Sequence, residues 1–390
     1  MIHYTGRITQ FVAILGCISS SLYYLFCLWS AASFLRRRKA DKSVHLTQSL
    51  PAVSILKPLK GIDPDIYESF RSHCLQDYPQ YEIVFGVSDA ADPAVAAVQK
   101  LQEEFPSRAI RLVVCPNILG ANVKVSNLEE MLPVARYEHL IVNDSDIQVE
   151  ADYLRRVMVP LADKGVGMVT CLYRGVASPT LGSRLESLGI STDFCAGVLV
   201  AWKLEGGVRF GLGSTLAFRR ADLESIGGFH PLVDFLADDY ELGRRIAGLG
   251  LQVVLSDVVV ETHLPPYDLS GFLDHQIRWA RGVRDSRTGG YVGLVSTFGL
   301  MWALVNLIVS HAEPWSWAVL GCVALLRFAV ALAVGKGVLQ DRMLLKHLWL
   351  LPVRDLVAVA VWLASFAGHT VTWRGDRFEL KNGRLVRVVP

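Results

Sequence analysis

His139-Leu-Ile-Val-Asn-Asp-Ser-Asp146 is the stretch on which the fold turns. An apolar run passes straight into two carboxylates separated by Ser145, which is how a buried strand ends at a polar edge. Working outward, Ala52-Val-Ser-Ile-Leu56, Tyr81-Glu-Ile-Val-Phe-Gly-Val87 and Ile110-Arg-Leu-Val-Val114 are further short β-rich runs. Helix-like stretches separate them at Asp65–Gln76, Pro93–Phe105 and Val123–Ala135, the second with Pro at a permitted first position. Strands alternating with helices predict an α/β domain, with a parallel sheet covered on both faces. Ligands of such sheets bind beyond the carboxyl ends of the strands. Asp89–Asp92 and Asp144–Asp146 both fall at that edge.

A dinucleotide-binding fold competes for the same pattern and needs G-x-G-x-x-G after its first strand. Gly165/Gly167 and Gly211/Gly213 lack the third glycine and come too late. Further on, Ser214-Thr-Leu-Ala-Phe218 reads as a short strand and Val253–Val260 as a returning one. Between them Ala237-Asp-Asp-Tyr-Glu-Leu-Gly-Arg-Arg-Ile246 reads as a helix.

The chain has 390 residues, 52% of them hydrophobic, and 39 Lys and Arg against 37 Asp and Glu, a net charge of +2. No global field and no basic stripe with interleaved aromatics speaks for nucleic acid. The apolar excess gathers at the two ends. Ile8–Leu35 carries no charge and is followed by Arg36-Arg-Arg-Lys39. A membrane span needs about 20 apolar residues, whereas a signal-peptide core has only about 7–15. A transmembrane anchor is therefore expected, and the basic cluster behind it places the following residues in the cytosol. Tyr291–Ser310 and Trp315–Gly335 read as two more spans. Leu356–Trp373 follows Pro352 and the pair Arg354-Asp355, and reads either as a third crossing or as a re-entrant segment. A crossing puts Arg374, Arg377 and Lys381 outside; re-entry returns them inside. The Arg354-Asp355 pair itself is either a functional polar site or a structural pair facing the helix bundle.

Leu269, Phe272, Leu273, Ile277, Ala280 and Val283 recur at helical spacing, with Asp274, Arg278, Arg281 and Asp285 on another face. This is an amphipathic helix suited to a membrane interface. The expected organisation is a transmembrane helix over 8–35, a cytosolic domain over 45–266 and an interfacial helix over 267–289. Membrane segments over 290–373 and a basic tail over 374–390 complete it. Seven scattered cysteines without CxxC spacing fit reduced thiols facing a cytosol, with Cys195 either a nucleophile or, more plainly, a small buried hydrophobe.

Sugar transfer from a nucleotide diphosphate asks for neutralisation of the leaving group, a base for the acceptor hydroxyl and a held donor. Asp144 and Asp146 can turn carboxylates to one side and hold Mg2+ or Mn2+, or they form an Asx-turn that ends the strand. Asp238 and Asp239 favour a helix N-terminus, or one of them serves as base with its pKa raised by the other. Asp89 and Asp92 bond a nucleotide or cap the helix at Pro93. Arg278 suits a diphosphate and Trp279 an acceptor; the plainer reading is a solvated arginine and an interfacial tryptophan. Lys124 and Asn127 meet phosphate or base, or decorate a surface helix. His263 reads as a third metal ligand or a satisfied loop histidine.

Taken in order, these residues resemble the ceramide glucosyltransferase family of inverting enzymes with the GT-A fold. The resemblance runs from Val53-Ser-Ile-Leu-Lys-Pro-Leu-Lys-Gly-Ile-Asp63 and Asp77-Tyr-Pro-Gln-Tyr-Glu82 through three aspartate motifs to a (Q/R)xxRW box, here His275-Gln-Ile-Arg-Trp279. It implies a GT-A domain inserted between transmembrane helices. By resemblance Asp239 is the catalytic base, Asp144 and Asp146 hold the divalent cation, and Asp92 helps place the nucleotide sugar. Asp89, Lys124, Asp238, His275, Arg278 and Trp279 complete the donor and acceptor contacts. His275 stands where Gln or Arg is expected, and Asp146 completes a DxD that ceramide-type members can lack. Leu236-Ala-Asp-Asp-Tyr-Glu-Leu-Gly-Arg-Arg245 and Val260-Glu-Thr-His263 look closer to the bacterial branch associated with hopanoid biosynthesis. That implies a UDP-sugar donor, glucose or N-acetylglucosamine, a hopanoid acceptor in the bilayer and an active site at the cytosolic face of a bacterial inner membrane. A ceramide or other glycolipid glucosyltransferase, a processive polysaccharide synthase and a non-catalytic lipid-binding membrane protein are the alternatives.

Overall fold

In the computed structural model, which describes residues 2–41, 50–373 and 376–388, the run ending at Val142 lies inside an eight-stranded sheet. Its strands are β1 (Val53–Leu59), β2 (Tyr81–Val87), β3 (Ala109–Val114), β4 (His139–Val142), β5 (Ile147–Gln148), β6 (Val166–Val176), β7 (Leu216–Arg219) and β8 (Gln252–His263). The order across the sheet is β3-β2-β1-β4-β7-β6-β8-β5. β1 is parallel to both neighbours, with Val53 opposite Tyr81 on one side and His139 on the other. Every residue of β1 and β2 is buried, Ser54, Lys57 and Glu82 included, as strands in a doubly covered sheet should be. Burying such a Val, Leu or Ile contributes about 1.5–3 kcal/mol relative to exposure. The helices Ile66–Cys74, Ala94–Glu104 and Val123–Met131 fall where the periodicity places them.

The second half of the sheet departs from the expected all-parallel pattern. β7 runs antiparallel to both β4 and β6, and β5 runs antiparallel to β8. The reversal has a consequence for the site. Leu216, the first residue of β7, lies opposite Val142, the last of β4. The segment entering β7 therefore meets the segment leaving β4 at one edge. β6 is an eleven-residue buried strand to which the sequence reading assigns no element; Gly167, Thr170, Arg174 and Gly175 interrupt its apolar pattern.

The described residues divide into two compact units. One comprises Arg38–Pro179, Ala201–Pro266 and Gly383–Pro390 and holds this sheet; the other comprises Met1–Arg37, Thr180–Val200 and Tyr267–Asn382. Four described helices are long and apolar enough to cross a membrane: Gly6–Lys39, Leu181–Glu205, Pro314–Val338 and Leu344–Ser365. Thr288–Thr297 and Gly299–Val309, bent by 49°, would together make a fifth. Within the first helix the small or polar Ala13, Cys17, Ser20, Tyr24, Cys27 and Ser30 face inward at helical spacing, while Phe11, Leu15, Ile18, Leu22, Leu25 and Trp29 are exposed. Large apolar side chains outward and small ones inward is the pattern of a helix that packs on protein and faces lipid. Gly16 allows the close approach: a Cβ there would lie 2.3 Å from the ring of Trp302.

Two elements of this unit differ from the reading of the sequence. Leu181–Glu205 is an additional apolar helix, bounded in the chain by β6 and β7. The last long helix starts at Leu344, ahead of Pro352, and Thr370–Trp373 is a strand paired with Asp376–Lys381. Gly368, with φ of 128°, separates that strand from the helix. Residues 45–49 of the expected cytosolic domain, and Arg374 at the head of the expected tail, lie outside the described residues.

Candidate active site

The Asn143–Asp146 segment leaves β4 beside the segment that enters β7. The Asp144 amide donates to the carbonyl of Gly213 (3.2 Å), and Asn143 Nδ2 donates to the carbonyl of Ser214 (2.6 Å). The Gly213 amide donates in turn to Asp239 Oδ2 (2.7 Å), and the Tyr240 amide donates to Asp239 Oδ1 (2.7 Å). A Cβ on Gly213 would lie 2.6 Å from Asp144 Oδ2 and 3.3 Å from Asp239 Oδ2. Both carboxylates thus close on one residue because it has no side chain. Gly243 does similar work on the helix Asp238–Gly248, where a Cβ would sit 2.1 Å from the Gly211 amide nitrogen. The helix presses on this loop and carries Asp238 and Asp239 to the edge.

Lys124 joins the acids. Its Nζ lies 2.7 Å from Asp144 Oδ1 and 3.1 Å from Asp238 Oδ2, with only 17% of the side chain exposed. Asn122 caps the helix Val123–Met131 by accepting from the Val125 amide, and its Nδ2 donates to Asp238 Oδ1 (3.2 Å). The surface-helix reading of Lys124 is thereby replaced by a place inside the acid cluster.

The charges here are crowded. Burial, then the charges of Asp238 and Asp144, push Asp239 up to about 6 against the opposing pull of Lys124. Burial and Asp144 push Asp146 up to about 6, opposed by the hydroxyl of Thr262, which donates to its Oδ2 (2.5 Å). Burial pulls Lys57 down to about 7, with Asp146, Asp144 and Asp63 resisting; its Nζ donates to the Asp144 carbonyl (3.0 Å). Burial also opposes the charge on Lys124, but Asp144, Asp238 and Asp239 outweigh it and hold that ammonium above its usual range.

Asp89 and Asp92 make turn and cap contacts. Asp89 accepts from the Ala91 amide (2.9 Å), and Asp92 accepts from the amides of Ala94 (2.9 Å) and Gly61 (2.9 Å). The Gly61 bond fixes the loop that holds Asp63, whose carboxylate accepts from Ser145 Oγ. Asp92 is thus tied to the Asp144–Asp146 triplet through that loop.

The donor set fits a hard divalent cation. Asp144 presents a carboxylate on a side chain that is 40% exposed. The His263 amide donates to the Asp146 carbonyl (3.2 Å), and its ring Nε2 is enclosed without a hydrogen-bond partner. A dication would also relieve the crowding that lifts Asp146 and Asp239. Among the described residues no three His, Cys, Asp or Glu side chains form a ready-made cage.

The box residues lie on the helix Leu269–Ser286, opened by Asp268, which accepts from the Gly271 amide (2.7 Å). The His275 ring stacks on Tyr267 with centroids 5.2 Å apart and meets Trp279 at 5.5 Å. Trp279 meets Phe194 at 5.8 Å, edge to face. Gln276 Nε2 donates to the buried Glu186 (2.5 Å), and its Oε1 accepts from Arg354 Nη2 (2.9 Å). Asp355 accepts from Arg327, so the Arg354-Asp355 pair faces the helices around it. The sequence reading leaves Gly213, Glu186 and Gln276 out. The lone acid in Leu185-Glu-Ser-Leu188, set in an apolar helix, was the available signal. Arg281, expected on the polar face of this helix, donates to the carbonyl of Ala367, and Arg284, for which the sequence reading states no role, donates to that of Gly368, both beyond the end of the helix Leu344–Ser365.

A mixed sheet with carboxylates gathered at its ligand edge, in a chain with several potential membrane spans, defines a membrane-associated glycosyltransferase of the GT-A fold. Its fold is similar to that of a mannosyltransferase from Pyrobaculum calidifontis solved with GDP-Man and Mn2+, with a TM-score of 0.51, 21% identity and coverage of 91% of this chain and 97% of that one. Ceramide glucosyltransferases 3 and 1 of Caenorhabditis elegans are 24% and 22% identical across 96% of this chain, and 82% and 81% of their own lengths are covered. Residues 12–386 match Glycosyl transferase family 21, and the chain belongs to that family.

Proposed function

We propose that this enzyme moves a hexose, glucose or N-acetylglucosamine, from a UDP-sugar to a hydroxyl of a membrane lipid, with inversion at the anomeric carbon. The observation that carries the reading is the Asp239 carboxylate, held by two backbone amides beside Asp144 and with its pKa raised to about 6 by burial and the neighbouring acids. Asp239 takes the proton of the acceptor hydroxyl as the oxygen attacks the anomeric carbon. The bond from that carbon to the diphosphate breaks, and UDP leaves with the electron pair. A divalent cation held by Asp144 and Asp146 would supply charge neutralisation at the diphosphate. Lys124 and Asp238 set the charge around Asp144, and Asp89 and Asp92 shape the donor loop. His275, Arg278 and Trp279 are assigned to the acceptor and the diphosphate.

A lipid acceptor is supported by the ceramide glucosyltransferases that the chain resembles and by its apolar helices. Within that class we assign a hopanoid, with the sheet domain at the cytosolic face of a bacterial inner membrane. Ceramide or another glycolipid acceptor is the second reading, favoured by the names of those relatives. Purified protein in lipid nanodiscs, given UDP-glucose or UDP-N-acetylglucosamine with Mn2+ and a lipid extract, tests all of this. Mass spectrometry of the lipids should show one class gaining a hexose or N-acetylhexosamine as UDP appears. Sugar consumed with no lipid product, or a sugar polymer, would overturn the lipid assignment.

A further inference from the structure

An arginine in a membrane-spanning helix must find its acceptors within the protein. Arg327, in Pro314–Val338, is 2% exposed and spends its guanidinium on three residues. Nε donates to Asp355 Oδ2 (2.9 Å) and Nη2 to Asp355 Oδ1 (2.7 Å). Nη2 also donates to Asp193 Oδ1 (2.6 Å) and Thr192 Oγ1 (3.3 Å), and Nη1 donates to the Thr192 carbonyl (3.2 Å). Thr192 and Asp193 belong to the π-turn Ile190–Phe194, which interrupts Leu181–Glu205. Such a turn carries one residue more than a regular helical turn and recurs at functional sites. The next residue, Phe194, is the one that meets Trp279 edge to face.

We infer that Arg327 is a positioning residue for Trp279: by holding Thr192 and Asp193 it maintains the π-turn that presents Phe194 to the indole. The inference rests on the proposed acceptor role of Trp279, and its test separates the two. If the π-turn relaxes into regular helix, the extra residue is lost from the turn, and its last residue, Phe194, changes phase by up to about 100° and leaves the indole. Asp355 completes the hold, since a guanidinium bonded to it on two nitrogens has a fixed plane.

The test uses the full chain labelled with fluorotryptophan in nanodiscs, with W279F identifying the Trp279 resonance. R327K keeps the charge but loses the planar fork, and F194A removes the aromatic contact directly. Both should shift the Trp279 resonance and raise the KM for the lipid about two- to tenfold, the size of one edge-to-face contact, with the donor KM unchanged. The R327K/F194A double variant should be no worse in acceptor KM than F194A, because the two changes remove one contact. An unmoved Trp279 resonance in R327K overturns the inference. A moved resonance with unchanged acceptor KM upholds the positioning and removes Trp279 from the acceptor site. If R327K does not fold, the uncharged R327M/D193N/D355N variant carries the same readouts.

Discussion

The acids at the sheet edge and the acids among the apolar helices are handled in opposite ways. At the edge, Asp144, Asp146, Asp238 and Asp239 crowd around two lysines, and two of the four have pKa values lifted to about 6. Their positions are set by backbone: strand ends, two glycines and amide donors. Among the helices, Asp193 and Asp355 share one arginine that donates to both, and Glu186 is met by Gln276. Unrelieved charge is what a group needs if it is to accept a proton or a cation. A carboxylate bonded across helices ties elements together, and removing one partner is costly because the other stays buried.

The contrast can be broken at several points. Replacing Asp239 with Asn should lower turnover about 10²–10⁴-fold without loss of fold, the usual worth of a positioned base; unchanged kcat would make the edge acids as structural as those in the helices. Gly213→Ala puts a methyl between Asp144 and Asp239, and a displacement of about 1 Å at a reacting group costs on the order of 10²-fold. Thermal unfolding should show a stable protein with low kcat, and near-native kcat would show that the two carboxylates need not close on this residue. Since Asp239 acts only when ionised, and its pKa is raised to about 6, activity should be half-maximal near that pH, level off above it and fall as pH drops through it. D238N removes the neighbouring charge, so the acid limb of kcat/KM should move to lower pH; a limb that stays in place would assign it to another group. The smallest effect on chemistry is expected among the helices. Gln276→Leu takes the amide donor from buried Glu186 and the acceptor from Arg354, and should cost at least about 1–3 kcal/mol of stability while leaving the donor KM unchanged, as read by denaturation in detergent.

What the sequence discloses follows the same division. β1, β2 and β4 are legible because buried strands are written as largely apolar runs, β3 because of its β-branched residues, and Asp144 and Asp239 because they stand at the ends of elements. β6 is hidden by its glycines and polar residues, and Leu181–Glu205 by Glu186 and Asp193, whose charges mask an apolar helix. Their partners are remote: Arg327 lies 134 positions from Asp193 and Gln276 lies 90 from Glu186, so no local spacing announces either pair. The role of Gly213 is equally invisible, because it depends on β7 being antiparallel, and pattern alone does not report strand direction.

The placement of Leu181–Glu205 within the chain also bears on how the protein is made. The ribosome delivers β1 to β6 first, then this greasy stretch, and only afterwards the strand that must slot between β4 and β6. Completion of the sheet therefore waits until an internal hydrophobic segment has been synthesised. Trimming both ends back to residues 50–266 would not yield a water-loving fragment, since the segment would travel with it.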